Sequence, residues 1–302
     1  MHVVIAGGSG LIGKNLVKQL DPLHCTITIL SRNPRQAAGH VRFVRWNPET
    51  LYIDPAIQDA DVVINLTGEG IADKRWTTAR KKLLLESRLK SVETLHKWLA
   101  SAEQKPRLFI GASAVGYYGH RGDERLTEQS APGHEFLAEQ CVDWEKAYQS
   151  LIPYTGRILI LRIGIVLSLQ GGALPKMLMT KPFGFLSWFG SGNQYLPWIH
   201  MQDLCNIMKQ AIAAPSYQGV VNAVAPQEIT NKKAILDLQK NLKGILLVLP
   251  VPSIVLRVML GEMSRVVLNS NRVIPERLQS LGFQFQFNDF SNAVSALLSD
   301  RK

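Results

Sequence analysis

Short apolar runs rich in β-branched residues alternate with longer stretches of helical period through the first half of the chain. His2 to Ala6 is the first run. Gly7 to Gly13 follows at once, and Leu11, Ile12 and Leu16 then fall on one face of a helix continuing through Lys14 to Gln19. Thr26 to Leu30, Val41 to Trp46 and Ala60 to Leu66 repeat the strand pattern, and residues 77–100 carry a long periodic helix. Arg107 to Ala112 predicts a fifth strand, followed by a helix from about Glu135 to Gln149 and a strand from Thr155 to Leu161. Strands separated by helices predict an α/β fold with a doubly wound, Rossmann-like parallel sheet.

The second half is less regular. Gly219 to Val224 is expected to complete the sheet, and Thr230 to Leu242 to form a helix with Lys232 and Lys233 on its wet face. The apolar stretch Ile245 to Leu256 is broken by Pro250, Pro252 and Ser253 and closed by Arg257. It falls short of the roughly 20 residues that span a bilayer and reads as a buried strand, a turn and a helix from Ser253 to Leu260. Pro275 marks a helix start, the alternation Phe283-Gln284-Phe285-Gln286-Phe287 predicts a half-buried strand, and Phe290 to Leu298 predicts a final docking helix. The expected division is a dinucleotide-binding core over 1–165, a mixed region over 166–244 that completes the sheet and covers the cleft, and a smaller C-terminal α/β domain on the substrate side over 245–302.

The run Ala6-Gly7-Gly8-Ser9-Gly10-Leu11-Ile12-Gly13 lies between the first strand and the first helix. Its glycines at 7, 10 and 13 suit a tight turn, close approach of backbone to a pyrophosphate, and close helix-to-strand packing. The helix start then offers free N–H groups to phosphates. Gly7, Ser9, Gly10, Leu11, Ile12 and Gly13 are therefore expected to bind a dinucleotide. After the second strand comes Ser31-Arg32-Asn33, without the carboxylate that binds an NAD ribose. Arg32 is the candidate for a 2′-phosphate, which favours NADP over NAD; the competing assignment is a solvated turn arginine.

Composition narrows the partners. With 46% apolar and 19% charged residues, the chain reads as a packed globular protein and leaves little support for disorder. A formal charge of +10 favours anionic ligands, but the basic residues are scattered and no arginine-rich arm occurs, so nucleic acid is not expected. Neither a membrane nor a metal is expected as a partner. Cys25, Cys141 and Cys205 are widely spaced and the histidines lack metal-ligand spacing, while the start of the chain shows no signal-peptide pattern. The expected location is the cytoplasm.

The glycine run, Asn65-Leu66-Thr67-Gly68 and Ser113 through Gly119 resemble the extended short-chain dehydrogenase/reductases. Phe136 to Glu139 with Trp144-Glu145, Gly190-Ser191-Gly192, Leu196 to His200 and Asn222 to Pro226 narrow the resemblance to atypical epimerase-family proteins. Gly261-Glu262-Met263, Arg272 to Pro275 and Leu281-Gly282-Phe283 are similar to the small C-terminal domain of that family. The resemblance covers essentially the whole chain. It implies an NAD(P)-type oxidoreductase fold acting on a nucleotide sugar or a small hydroxyl or carbonyl compound, with Leu66, Thr67 and Gly68 beside the cofactor. It is also compatible with a homodimer.

Standard members use a Ser after the fifth strand, a Tyr as acid/base and a Lys four residues later. No Tyr here is followed by Lys at that spacing, and matching Glu145 to the family's Glu puts Leu137 and Cys141 in the Tyr and Lys places. Leucine carries no proton and cysteine no fixed positive charge. Ser113 remains a candidate for holding a substrate oxygen, although counting back from Tyr118-Gly119 puts Ala114 there instead. Tyr118 and Glu69 are the other candidates for proton chemistry. Each has a plainer assignment, Tyr118 as a cleft wall and Glu69 as a loop or helix-start residue. Arg88 is placed either to orient loops near the cofactor or on a solvated helix face, and His200 either as a catalytic group or as a hydrogen-bonded strut.

Two functions therefore stand. The first is an NADP-dependent reductase or epimerase; the second is a non-catalytic or weakly catalytic NADP-binding protein that senses cofactor or acts through a partner.

Overall fold

The alternating runs assemble into one large sheet in a computed structural model that describes residues 1–299 except 21, 23 and 58. In chain order the first elements are β1 (His2–Ala6), α1 (Leu11–Gln19), β2 (Thr26–Ser31), β3 (Val41–Asn47), β4 (Tyr52–Ile53), β5 (Val62–Asn65) and α2 (Thr78–Ser101). Next come β6 (Leu108–Ala114), β7 (Arg125–Leu126), α3 (Phe136–Gln149), β8 (Ile158–Ile163), β9 (Ile165–Leu167), α4 (Ala173–Met177), β10 (Phe185–Phe189), β11 (Trp198–His200) and α5 (Met201–Ala213). The chain continues through β12 (Gly219–Ala223), α6 (Asn231–Lys240), β13 (Leu247–Val251), α7 (Ser253–Leu260), α8 (Arg265–Leu268), β14 (Arg272–Val273), α9 (Glu276–Ser280) and α10 (Phe290–Ser299).

The main sheet has the order β12-β8-β6-β5-β1-β2-β3-β4. All neighbours are parallel except the β3–β4 pair, a short return strand that the sequence pattern had not suggested. Side chains alternate across the sheet with period two. Val3 and Ile5 point to the face packed by Leu16 of α1 and by Leu204, Ile207 and Met208 of α5. Val4 and Ala6 point to the other face, against Val92, Leu95 and Leu99 of α2 and Trp144 and Tyr148 of α3. Both faces of β1 are thus covered, which is why it reads as a continuous apolar run rather than an alternating one.

The strand order runs one way from β1 to β2 and the other way from β1 to β5. A crevice opens at such a reversal, beyond the carboxyl ends of the strands, and it is where ligands bind in doubly wound folds.

The C-terminal part differs from expectation in two places. Phe283 to Phe287 keeps its alternating burial but forms no strand. The Asp203 carboxylate accepts from the N–H groups of Gln286 and Phe287 at 2.8 and 2.9 Å, replacing a strand partner, and Phe283 packs edge-on against Phe285. The stretch from Ile245 does form strand β13, a proline turn and helix α7, yet much of it is exposed rather than buried. Only its alternate residues Leu246 and Val248 reach the cluster built from Trp198, Ile235, Leu238, Phe290 and Val294. Among the described residues, no helix is long and apolar enough to cross a membrane.

Candidate functional site

Beyond β1 the chain turns through Gly7 at φ +80°, and the N–H of Gly10 donates to Gly7 O at 2.9 Å. A side chain at Gly7 would collide with the backbone of Leu66 at 2.8 Å, so the loops after β1 and β5 lie in contact at the sheet reversal. At Gly13 a Cβ would stand 2.5 Å from Gly7 O and Gly8 Cα, so helix α1 is packed directly on the turn. Gly10 differs. A Cβ there would meet only Gly7 O, at 3.2 Å, and the other side of the residue is open. Gly10 also caps α1 without any side-chain bond to the helix N–H groups. An exposed turn with free N–H groups and space that a methyl group would invade fits the pyrophosphate of a dinucleotide.

Arg32 is exposed just past β2, beside this turn across the sheet, and makes no ion pair among the described residues. The Ser31 hydroxyl shapes the loop, donating to Asn33 O at 2.9 Å.

On the β5 side, buried Asn65 holds the Leu66-Thr67-Gly68 loop. Its Oδ1 accepts from the Thr67 hydroxyl at 2.5 Å and the Thr67 N–H at 3.1 Å, while its amide donates to Ser91 Oγ at 3.2 Å. Arg88 reaches the same loop from α2. Its guanidinium donates to Leu84 O at 2.7 Å and Glu69 O at 3.1 Å, lies over the Trp144 ring at 4.9 Å, and would contact any side chain at Gly68. Burial lowers the Arg88 pKa from the ordinary guanidinium value. Of the two assignments for Arg88, orientation of the loop is the one observed; the solvated face is not.

Glu69 follows this loop. Its carboxylate accepts from Arg80 at 2.8 Å and is 42% exposed, whereas Arg80 is buried.

Ser113 and Tyr118 lie at the end of β6 and in the turn after it, within one chain of buried hydrogen bonds. Ser113 Oγ donates to Glu145 Oε1 at 2.6 Å. Arg162 on β8 grips Glu145 with two bonds of 2.9 Å and donates a third, also 2.9 Å, to the Tyr118 hydroxyl. Tyr118 in turn donates to Asn222 Oδ1 at 2.6 Å, and Asn222 is anchored to Glu128 through its N–H and to Ile274 O through its amide. The Arg162 guanidinium also stacks on Tyr117, 3.4 Å from the ring centre. Burial by itself would lower the Arg162 pKa, but the Glu145 carboxylate outweighs it and the net shift is upward. Burial pushes the Tyr118 phenol up to about 12, with Arg162 only partly opposing it.

Leu137 and Cys141 face the same turn from α3: a Cβ at Gly116 would sit 3.6 Å from Leu137 Cβ and 4.0 Å from Cys141 Sγ. Burial raises the Cys141 thiol to about 12. His200 stands apart from this centre, accepting the Gln202 N–H at the start of α5 and stacking on Phe287 at 3.9 Å. No group of His, Cys, Asp and Glu able to hold a metal occurs among the described residues. Arg162 and Glu128 were not singled out from the sequence, while Asn222 and Glu145 entered only through stretches that carry the family resemblance and, for Glu145, as a register mark. One signal was available: an arginine within the apolar strand Ile158–Ile163 requires a buried acidic partner.

The profile of the NAD-dependent epimerase/dehydratase family matches residues 3–223, and that of a domain of unknown function (DUF1731) matches residues 251–297. An epimerase family protein of Mycobacterium bovis is 37% identical over 294 residues, covering 97% of this chain and 96% of its own. The crystal structure of the human epimerase family protein SDR39U1 with NADPH superposes with a TM-score of 0.90 at 30% identity, covering 99% of this chain and 100% of that one. A structure described as a nucleoside-diphosphate sugar epimerase from Corynebacterium glutamicum has a TM-score of 0.77 at 32% identity, covering 99% of this chain and 58% of that one.

Proposed function

The chain belongs to the NAD-dependent epimerase/dehydratase family, whose members carry an NAD(P)-binding Rossmann fold, and from that premise we propose that it binds NADP(H) without Tyr–Lys proton chemistry. The observation that carries this reading is the closed hydrogen-bond chain from Ser113 through Glu145, Arg162 and Tyr118 to Asn222. Acid–base catalysis needs a group within reach of the reacting atom that can exchange its proton. Here both hydroxyls already donate to partners inside the protein, and both residues are buried. Leu137 and Cys141, in the Tyr and Lys places of the family pattern, provide neither an exchangeable proton near neutrality nor a fixed positive charge. The centre is thus a rigid floor beneath a cofactor cleft, and the activity is cofactor-responsive binding rather than epimerisation of a nucleotide sugar.

In this reading Gly7, Ser9, Gly10, Leu11, Ile12 and Gly13 cradle the pyrophosphate, Arg32 takes the 2′-phosphate, and Leu66, Thr67 and Gly68 line the nicotinamide side. The NADPH in the human relative supports the choice of cofactor. When bound, the cofactor would supply hydride chemistry; the residues named here bind and orient it.

A second reading, hydride transfer to a small carbonyl compound, is favoured by one observation. Glu69 is the acidic side chain beside the Leu66-Thr67-Gly68 loop, it is partly open to solvent, and Arg80 holds it.

Parallel titrations with NADPH and NADH, followed by nicotinamide fluorescence, test the cofactor assignment. NADPH should bind more tightly, and Arg32→Ala should remove the preference by roughly tenfold to a hundredfold, the range for a charged hydrogen bond. Equal affinity for the two cofactors would refute the NADP assignment. Cofactor-stoichiometric turnover of a nucleotide sugar would refute the non-epimerising reading, and turnover of a carbonyl compound that is lost in Glu69→Gln would establish the second.

A further inference from the structure

Two stretches of this chain contain no acidic residue: residues 163–202, with Lys176 and Lys181, and residues 238–261, with Lys240, Lys243 and Arg257. The fold brings them together. Leu247 N donates to Gly184 O at 3.0 Å, and the β10–β13 register pairs Phe185 with Leu247, so the Phe183 turn lies beside Ile245. Pro252 then leads directly from β13 into α7. The 72–75 loop ties both stretches, since Ala72 O accepts from Lys176 and Arg75 donates to Val258 O.

The surface so formed is unusually apolar. Ile245 is 96% exposed and Phe183 78%, and Leu247, Ile254, Val258 and Met259 are also exposed. A contiguous exposed apolar surface set among polar groups marks an interaction site. Lys181 and Lys243 stand close to Phe183 and Ile245 in the chain, and Arg257 lies on the flank of α7, where with Ser253 it lines a pocket shared with Gly190 and Asp123; none of the three makes an ion pair among the described residues. Among the acids of neighbouring elements, Asp237 is held by Lys233 and Lys240, Glu262 by Lys81, and Asp73 is flanked by Lys74 and Arg75, while Asp123 shares the pocket beside Arg257.

We propose that this face docks the protein on the surface of an anionic phospholipid bilayer. Protruding aliphatic and aromatic tips with cations among them match an interface in which apolar groups enter the acyl boundary while Lys and Arg remain at the headgroups. A second copy of the chain fits less well. A two-fold contact would press this cationic face, whose two stretches carry no acidic residue, onto an identical one, and Pro250 removes an N–H donor from the free edge of β13. The α7 helix, with Ile254, Val255, Val258 and Met259 exposed and Arg257 on its flank, would lie in the plane of the membrane surface.

The test is flotation of the full chain with vesicles of phosphatidylcholine alone and of phosphatidylcholine with phosphatidylglycerol. The protein should float with the anionic vesicles and release on raising the salt concentration, because headgroup attraction falls off within a Debye length. Phe183→Gln/Ile254→Gln/Val258→Gln should weaken binding more than tenfold. Lys181→Gln/Lys243→Gln/Arg257→Gln should weaken it on the order of a hundredfold, at roughly fivefold per cation. All six positions are on the surface, and an unchanged Tm shows that each variant is folded. Failure of the wild type to float with anionic vesicles, or full retention by the apolar variant, overturns the proposal. A dimer in sedimentation velocity that the apolar variant converts to monomer also overturns it and assigns the face to a second copy.

Discussion

Replacing Glu145 with Gln tests whether the centre beneath the cofactor cleft is a structural floor. The carboxylate accepts two bonds from Arg162 at 2.9 Å and one from Ser113 at 2.6 Å, inside the protein. A glutamine keeps the shape and one acceptor oxygen but turns an NH2 group toward a donor and leaves the Arg162 charge uncompensated. Breaking a buried ion pair on one side costs about 3–5 kcal/mol. The retained acceptor places Glu145→Gln near the low end, about 3 kcal/mol. For a chain of 302 residues that corresponds to a fall in Tm of about 5 °C. The assay is urea unfolding of Glu145→Gln, Arg162→Met and the double variant. Because the second substitution removes the orphaned charge, the double variant should be more stable than the sum of the single losses implies, with a coupling of about 2 kcal/mol. Single losses under about 1 kcal/mol that add within about 0.5 kcal/mol would refute the reasoning, since Arg162 would then be finding solvent or another partner.

Three other outcomes follow from the same geometry. Gly10→Ala should leave stability nearly unchanged while weakening NADPH binding by roughly tenfold, since its methyl enters the open cradle, whereas Gly13→Ala should destabilise the fold by about 1–3 kcal/mol through overpacking; fluorescence titration and urea unfolding separate the two. The buried Tyr118 phenol should ionise only near pH 12, read as a phenolate absorbance step missing from Tyr118→Phe. Because the unfolded phenol loses its proton first, near pH 10, stability should fall as pH rises from about 10 to about 12, by on the order of 2–3 kcal/mol, and less steeply in Tyr118→Phe. Burial also raises the Asp203 pKa despite the two N–H bonds it accepts, so the folded state retains that proton to higher pH than the unfolded chain. Stability should therefore decline as pH rises through the carboxylate range toward the raised value, and the decline should be absent in Asp203→Asn, measured by urea unfolding across that range.

Local pattern determined the framework of this protein. The central strands β1, β5 and β6 are buried on both faces and lead on to α1, α2 and α3, so continuous β-branched runs and helical periods are written directly into neighbouring residues. The glycines at 7, 10 and 13 were legible for the same reason: turn, opening and packing contact all arise within one strand–turn–helix unit. Tertiary structure decided whatever depends on residues distant in the chain. Tyr118 meets Asn222 across 104 positions and Ser113 meets Glu145 across 32, so no local spacing distinguishes a free hydroxyl from one already engaged. Arg88 has the sequence context of a solvated helix arginine and becomes buried because α3 brings Trp144 over it and the Gly68-Glu69 loop packs against it. The alternation at Phe283–Phe287 specified which rings turn inward, but a strand also needs a neighbour, and the Asp203 carboxylate takes that place. Residues 245–259 are apolar enough for a core, yet apolarity states a preference for burial and cannot supply the surface that would cover it. The fold covers Leu246, Val248 and Leu256 and leaves Ile245, Leu247 and Val258 exposed.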